Sequence, residues 1–161
     1  MKPKNQKFKE SVWDYPRPPR LELSSKHLKV VFGGVVIAET TKALKVCETS
    51  HPPVYYFPPE DVQKDLLIPA GKRSECEWKG SASYYTVSVN GNTAENAAWY
   101  YPDPRSRFRA LRNHIAFYPR KMDACYVDGE EVQAQPGDFY GGWITSDVIG
   151  PFKGGPESIG W

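Results

Sequence analysis

No single sign of charge dominates this chain of 161 residues: twenty-one Lys and Arg stand against nineteen Asp and Glu, a net of +2. The strong basic field that marks a nucleic-acid partner or attracts an anionic membrane is therefore missing. Long apolar runs are missing too. The longest, from Val30 to Ala38, contains Gly33 and Gly34 and falls far short of the ~20 residues that span a bilayer. The basic start, Met1 to Lys7, leads into no apolar stretch and does not read as a secretory signal. The expectation is a cytoplasmic protein without membrane contact. Cysteine is scarce, and the three present, Cys47, Cys76 and Cys125, are odd in number and widely spaced. That pattern suits neither a disulfide framework nor a Cys-x-x-Cys zinc site, and it predicts small buried hydrophobes in a reducing compartment. His27, His51 and His114 lack ligand partners at zinc-motif spacing, so no metal is expected. A phosphate cradle is absent as well: Gly71-Lys72 has Leu66 where a P-loop places its first glycine, and Arg73 where it needs Ser or Thr. No cofactor is predicted, and nucleic acid is not an expected partner.

Aromatic and turn residues are what the chain has in quantity. Five Trp, ten Tyr and seven Phe accompany fifteen Pro and thirteen Gly, a combination that fits short strands joined by tight turns. Residues 1–11 carry four Lys against one Glu and read as a flexible basic arm; residues 12–161 read as one β-rich domain. Trp13 to Pro19 holds three prolines and is expected as an extended strap. Three dipeptides, Gly33-Gly34, Asn90-Gly91 and Asp128-Gly129, are flanked by strand formers and predict three β-hairpins. Two short helices are expected, one over Pro58–Leu67 and one opening at Asp103 and ending before Pro119. Seven of the thirteen glycines fall in the last 25 residues. That tail is expected to wrap the sheet irregularly, anchored by Trp143, Phe152 and Trp161.

The hairpins sort side chains onto faces. Around Gly33-Gly34, Leu28, Val30, Phe32, Val35 and Ile37 share a core face, and the segment after it, Lys42 to Thr49, alternates as a third strand. A two-residue turn at Asn90-Gly91 sets Val87 opposite Ala94, Tyr85 opposite Asn96 and Ala82 opposite Trp99. Side chains alternate along a strand. One face then carries Tyr85, Val87 and Val89 with Ala94, Asn96 and Ala98, the natural core. The other carries Tyr84, Thr86 and Ser88 with Glu95, Ala97 and Trp99, and Trp78 as well if Gly80 adds no bulge. Two indoles, a phenol and a carboxylate on one surface suit a flat heterocycle or a cation. The plainer alternative is that the strap or the tail covers these rings.

Glu48-Thr49-Ser50-His51-Pro52-Pro53 ends the third strand with a carboxylate, two hydroxyls and an imidazole, and the Pro-Pro step would hold the ring. His51 is a candidate general acid or base oriented by Glu48; equally, it could hydrogen-bond a loop carbonyl. Glu75-Cys76-Glu77-Trp78-Lys79 brings further carboxylates, a thiol and an amine to a neighbouring strand. Glu77 or Lys79 beside an aromatic wall is a candidate for a shifted pKa; acids alternating with a lysine also describe a solvated face.

Several motifs in order carry a family resemblance: Glu48 to Pro58, Cys76-Glu77-Trp78-Lys79-Gly80, Glu95-Asn96-Ala97-Ala98-Trp99, Phe117-Tyr118, and the ending Gly141-Gly142-Trp143-Ile144-Thr145 through Gly150-Pro151-Phe152-Lys153-Gly154-Gly155 to Gly160-Trp161. From about Trp13 to Trp161 the chain resembles the bacterial family called domain of unknown function 427. The resemblance implies a mainly β, β-tent-like fold, two antiparallel sheets with short helices and irregular terminal segments. That fold is similar to methionine sulfoxide reductase B and the thalidomide-binding domain of cereblon. Their paired zinc cysteines and the reductase nucleophile have no counterpart here. The family also carries a nucleotidyltransferase-like label, whose chemistry wants paired acids after a Gly-Ser; Gly80-Ser81 meets none before Glu95.

The reading that follows is a small-molecule site for a planar heterocycle or nucleoside-like ligand. Tyr56, Trp78, Lys79, Trp99 and Tyr118 would bind it, with Glu48, His51 and Glu77 as polar or catalytic groups of a binding module or metal-independent enzyme. A protein-interaction module and a nucleotidyltransferase are the alternatives.

Overall fold

The computed structural model describes residues 9–137, 139–158 and 160–161. The basic arm expected over residues 1–11 lies outside the described residues as far as residue 8; Glu10 and Ser11 form β1 (Glu10–Ser11). A 3-10 turn at Val12–Asp14 and the proline-rich strap lead into β2 (Arg20–Leu23), then β3 (Leu28–Phe32) and β4 (Val35–Thr40). Next come β5 (Leu44–Cys47) and β6 (Val54–Tyr56), followed by the long strands β7 (Leu67–Cys76), β8 (Gly80–Val89) and β9 (Asn92–Tyr100). β10 (Ile115–Phe117), β11 (Ala124–Val127) and β12 (Glu130–Glu131) precede three two-residue strands, β13 (Gln133–Ala134), β14 (Trp143–Ile144) and β15 (Val148–Ile149).

All three turn dipeptides close hairpins, β3–β4, β8–β9 and β11–β12. Their six residues have φ between 49° and 84°, the positive values that a two-residue primed turn requires at both positions. The mainly β architecture expected from the composition is what the protein has. Its larger sheets are β10-β9-β8-β7, β12-β11-β3-β4 and β2-β5-β6, all antiparallel, with the pairs β13-β14 and parallel β1-β15 at the ends. β5, expected to extend the first hairpin, instead pairs with β2 and β6. A single antiparallel bridge, Phe57 to Ile115, joins the β2-β5-β6 sheet to β10.

Two expectations need correction. Neither predicted helix forms as an α-helix; among the described residues every helical turn is 3-10. Pro58–Leu67 breaks into turns at Pro59–Asp61 and Lys64–Leu66, and Leu67 already pairs with Val87. Ser106–Leu111 has Arg105 rather than Asp103 at its N-cap position, with no side-chain capping bond, and kinks at Phe108. Segments this short lose to tertiary pairing because helix nucleation is costly. The β8–β9 register also changes partway. Val87 faces Ala94 as predicted, but beyond it Tyr85 faces Ala98 and Tyr84 faces Trp99. Residues 95–97 together oppose Thr86, with Asn96 at φ 50° and its N–H donating to Thr86 Oγ1 at 3.3 Å. The slip is two residues, so parity survives and Trp99 stays on the Tyr84 face. Ala97 instead joins the core beside Ala98.

Period-2 alternation across the joined sheets creates two aromatic clusters. Tyr55, Phe57, Ile115 and Phe117 enter a core with Leu28, Val30, Ile37 and Trp143. Val54, Tyr56, Ala116 and Tyr118, from the same strands, enter a second cluster with Tyr84, Trp99, Tyr101 and Phe108. The strap and tail meet in a third: Val12, Tyr15, Cys47 and Val148, with Phe152 against them. Cys47 and Cys125 are buried, all three cysteines are free, and burial pushes the Cys47 thiol up to about 11. No helix among the described residues is long and apolar enough to cross a membrane.

Candidate functional site

A cavity of about 240 Å³ opens beside the second cluster, and all eight sequence-predicted site residues line it: Glu48, His51, Tyr56, Glu77, Trp78, Lys79, Trp99 and Tyr118. Four segments far apart in sequence bring them there. Tyr56 on β6 and Trp99 on β9 point in by alternation, with the Trp99 indole N–H 3.3 Å from the Tyr56 hydroxyl. Tyr118 follows β10 and lies with its ring 4.5 Å from Trp99. Glu77, Trp78 and Lys79 are not on a strand, as the sequence suggested, but in the tight turn between β7 and β8. Gly80 ends that turn at φ 108°, and the Lys79 carbonyl accepts from the Arg105 N–H at 2.9 Å. Because Gly80 re-aims the chain, Trp78 reaches the wall from the turn rather than by strand register.

Glu48 and His51 stand in the turn after β5, where the His51 N–H donates to the Glu48 carbonyl at 3.0 Å. The side-chain partner of His51 is not Glu48, as predicted, but Gln135. Gln135 Oε1 accepts from the Gly142 N–H at 3.0 Å, and its Nε2 donates to the Lys153 carbonyl at 2.8 Å. Backbone groups have fixed polarity, so these two bonds set the amide orientation. Nε2, 3.0 Å from His51 Nδ1, must therefore donate to it. His51 Nδ1 is an acceptor, and the ring proton sits on Nε2. Burial first, and then the nearby charges of Lys153, Lys79 and Arg17, together lower the His51 pKa from 6.5 to about 4. At neutral pH His51 is a neutral ring held as a hydrogen-bond donor.

Lys79 is buried, 7% exposed. Burial opposes its charge, yet Tyr56, Cys76 and, more weakly, Glu48 hold its pKa above the usual lysine value. Of these three, Cys76 is also a hydrogen-bond partner and Glu48 is the only carboxylate. The Tyr101 and Phe108 rings each lie 5.9 Å from Nζ. Glu75 and Glu77 are exposed at the rim, where the Ser81 hydroxyl donates to Glu75.

The tail covers part of the aromatic face without filling it. Tyr118 Oη donates to the Phe139 carbonyl at 3.1 Å, and Gly141 lies so close that a Cβ there would run into the Trp99 indole. Tyr140 meets His51 edge-on at 4.8 Å, and Lys153 Nζ sits 5.5 Å over the Tyr140 ring. Sequence reasoning did not assign Gln135, Tyr140 or Lys153 to the site. Gln135 follows a two-residue strand and Lys153 sits in an irregular glycine-rich run, so neither has a periodicity to reveal its direction. Tyr101 was readable, since it continues the alternation of Trp99. Among the described residues no three His, Cys, Asp or Glu side chains are grouped to hold a metal ion.

A family model described as Domain of unknown function (DUF427) matches residues 20–128, more than half of the chain. The chain belongs to the DUF427 family. No curated protein matches it. In this DUF427 chain the matched segment supplies Glu48, His51, Tyr56, Glu77, Trp78, Lys79, Trp99 and Tyr118. The residues after it supply the cover: Gln135, Phe139, Tyr140, Gly141 and Lys153.

Proposed function

We propose that the protein binds a small planar molecule in the cavity between Tyr56, Trp78, Trp99 and Tyr118. The observation that carries this reading is the convergence of indoles, phenols and polar groups on one concave site of about 240 Å³. A mostly apolar cavity with a few placed polar groups is the usual form of a small-molecule site. Its size lies below the roughly 300–1,000 Å³ of drug-sized sites, so the ligand is one or two fused rings with a short substituent. His51 Nε2–H and the rim carboxylates Glu48 and Glu77 are the groups to meet its polar edges. If the site also catalyses, a neutral His51 oriented by Gln135 acts as a donor, and proton abstraction falls to Glu48 or Glu77.

The test is binding of indole, quinoline and purine to the wild type and to Trp78→Ala, read by thermal shift and tryptophan fluorescence. Trp78 suits the purpose because it is half-buried in a turn, whereas Trp99 belongs to the buried cluster. At least one fragment should stabilise the wild type and lose most of its effect in the variant. Equal responses, or none at millimolar concentration, overturn the proposal.

A further inference from the structure

Lys79 narrows what the ring must carry. Lys79 is 7% exposed, lines the cavity, has the Cys76 side chain as a hydrogen-bond partner, and makes no ion pair among the described residues, whose pairs all lie elsewhere. An ammonium taken from water without a counter-charge is costly, so buried cations are normally paired. Two further donors face the same space. His51 carries its proton on Nε2, which has no partner among the described residues, while Nδ1 is occupied by Gln135. Lys153 stands over Tyr140, with its Nζ donating to a backbone oxygen of Trp161 at 3.1 Å. Against these stand half-buried Glu48 and exposed Glu75 and Glu77.

The balance is informative in both directions. A cationic ligand, which an aromatic cage alone would suit, meets an unpaired ammonium. A phosphate dianion meets three lining carboxylates with only one buried ammonium to offset them. We propose that the ligand of this cavity is a planar monoanion, an aromatic or heteroaromatic carboxylate of one or two fused rings. Its negative group pairs with Lys79 and accepts from His51 Nε2, and its ring lies against the indoles. The proposal rests on the reading that a planar small molecule binds here, and it adds the charge that molecule must bear.

Three probes on one ring separate the possibilities: indole-3-carboxylate, indole-3-carboxamide and 3-(aminomethyl)indole, titrated calorimetrically against the full chain at pH 7.5. The carboxylate should bind at least tenfold tighter than the amide, the minimum expected of a hydrogen bond to a charged group, and the ammonium weakest. In Lys79→Met the carboxylate should lose its advantage over the amide. Lys79→Arg keeps the charge and should keep the preference; it also serves as the charge test if Lys79→Met does not fold. In that case loss of the preference in Lys79→Arg overturns the proposal. Carboxylate and amide of equal affinity in the wild type, a preference for the ammonium, or a carboxylate preference untouched by Lys79→Met overturns the anion and leaves the ring site standing. No binding by any probe at millimolar concentration, or affinities all unchanged in Trp78→Ala, overturns the ring site and the anion with it.

Discussion

Two aromatic clusters share the strands β6, β9 and β10 yet differ in chemistry. The first is dry. Phe57 packs edge-on against Phe117 with centroids 5.5 Å apart, and the Trp143 N–H is satisfied by the Phe117 carbonyl at 3.1 Å. The second is phenolic: Tyr56, Tyr84, Tyr101 and Tyr118 surround Trp99, with Lys79 beside them and a cavity left open. A core stabilises by excluding water and filling space, and the first cluster does both. The second keeps hydroxyls, an ammonium and empty volume that apolar residues of similar size would have removed. Residues selected only for stability would not leave a buried cation beside a hole. The same strands therefore build a filled core on one face and a cavity wall on the other.

The contrast is sharpest at Phe117, which is fully buried. Phe117→Ala should cost about 3–5 kcal/mol in urea unfolding, while Trp78→Ala on the cavity wall should stay near 1 kcal/mol, as expected for a substitution outside the core. Comparable losses at the two sites would erase the distinction between core and site.

Next in size is a pH effect at the cavity beside the second cluster. His51 is held neutral in the fold with its pKa lowered to about 4, whereas the unfolded imidazole titrates near 6.5. Between these values the unfolded chain binds more protons, so stability falls as the pH is lowered through that window. The loss should total roughly 3 kcal/mol. The charged groups acting on His51 are Lys153, Lys79 and Arg17. Urea midpoints at pH 7, 5.5 and 4.5 for wild type and His51→Gln isolate the term, since carboxylate titrations cancel in the difference. A wild-type slope equal to that of the variant would refute it.

Lys79→Met removes a buried charge together with the interactions that hold the Lys79 pKa above its usual value. The two offset, so stability should stay within about 1–2 kcal/mol of the wild type, where a Phe57 or Phe117 truncation lowers it by about 3–5 kcal/mol. A marked destabilisation would show that Lys79 is structural. The smallest effect is expected for Tyr56→Phe, which leaves the Trp99 N–H without its acceptor and should cost about 1 kcal/mol. Circular dichroism melts suffice to measure it.

The hairpins were legible because a primed turn demands positive φ at two adjacent positions, which few residues other than Gly, Asn and Asp accept. The two aromatic faces were legible because strand side chains alternate. Even the two-residue slip around Asn96 preserved that parity, so Trp99 was assigned to the correct face with the wrong partner. The helices were misread because local signals at Pro58–Leu67 and Asp103–Ile115 are weaker than the pairing of Leu67 with Val87 and of Ile115 with Tyr100.

By itself the sequence determined the mainly β class, the three turns, the face of most strand residues, Ala97 excepted, and the eight polar and aromatic side chains worth watching. These follow from dihedral preference and period-2 geometry, which act over a few residues. Only the tertiary structure decided that those eight meet at one cavity, that Gln135 rather than Glu48 orients His51, and that the tail covers the rings while leaving Lys79 unpaired. Such contacts join segments far apart in the chain; His51 and Gln135 are 84 residues apart. No local preference encodes the direction of a side chain in an irregular loop. The charge state of the site emerges only when burial and neighbours are set together.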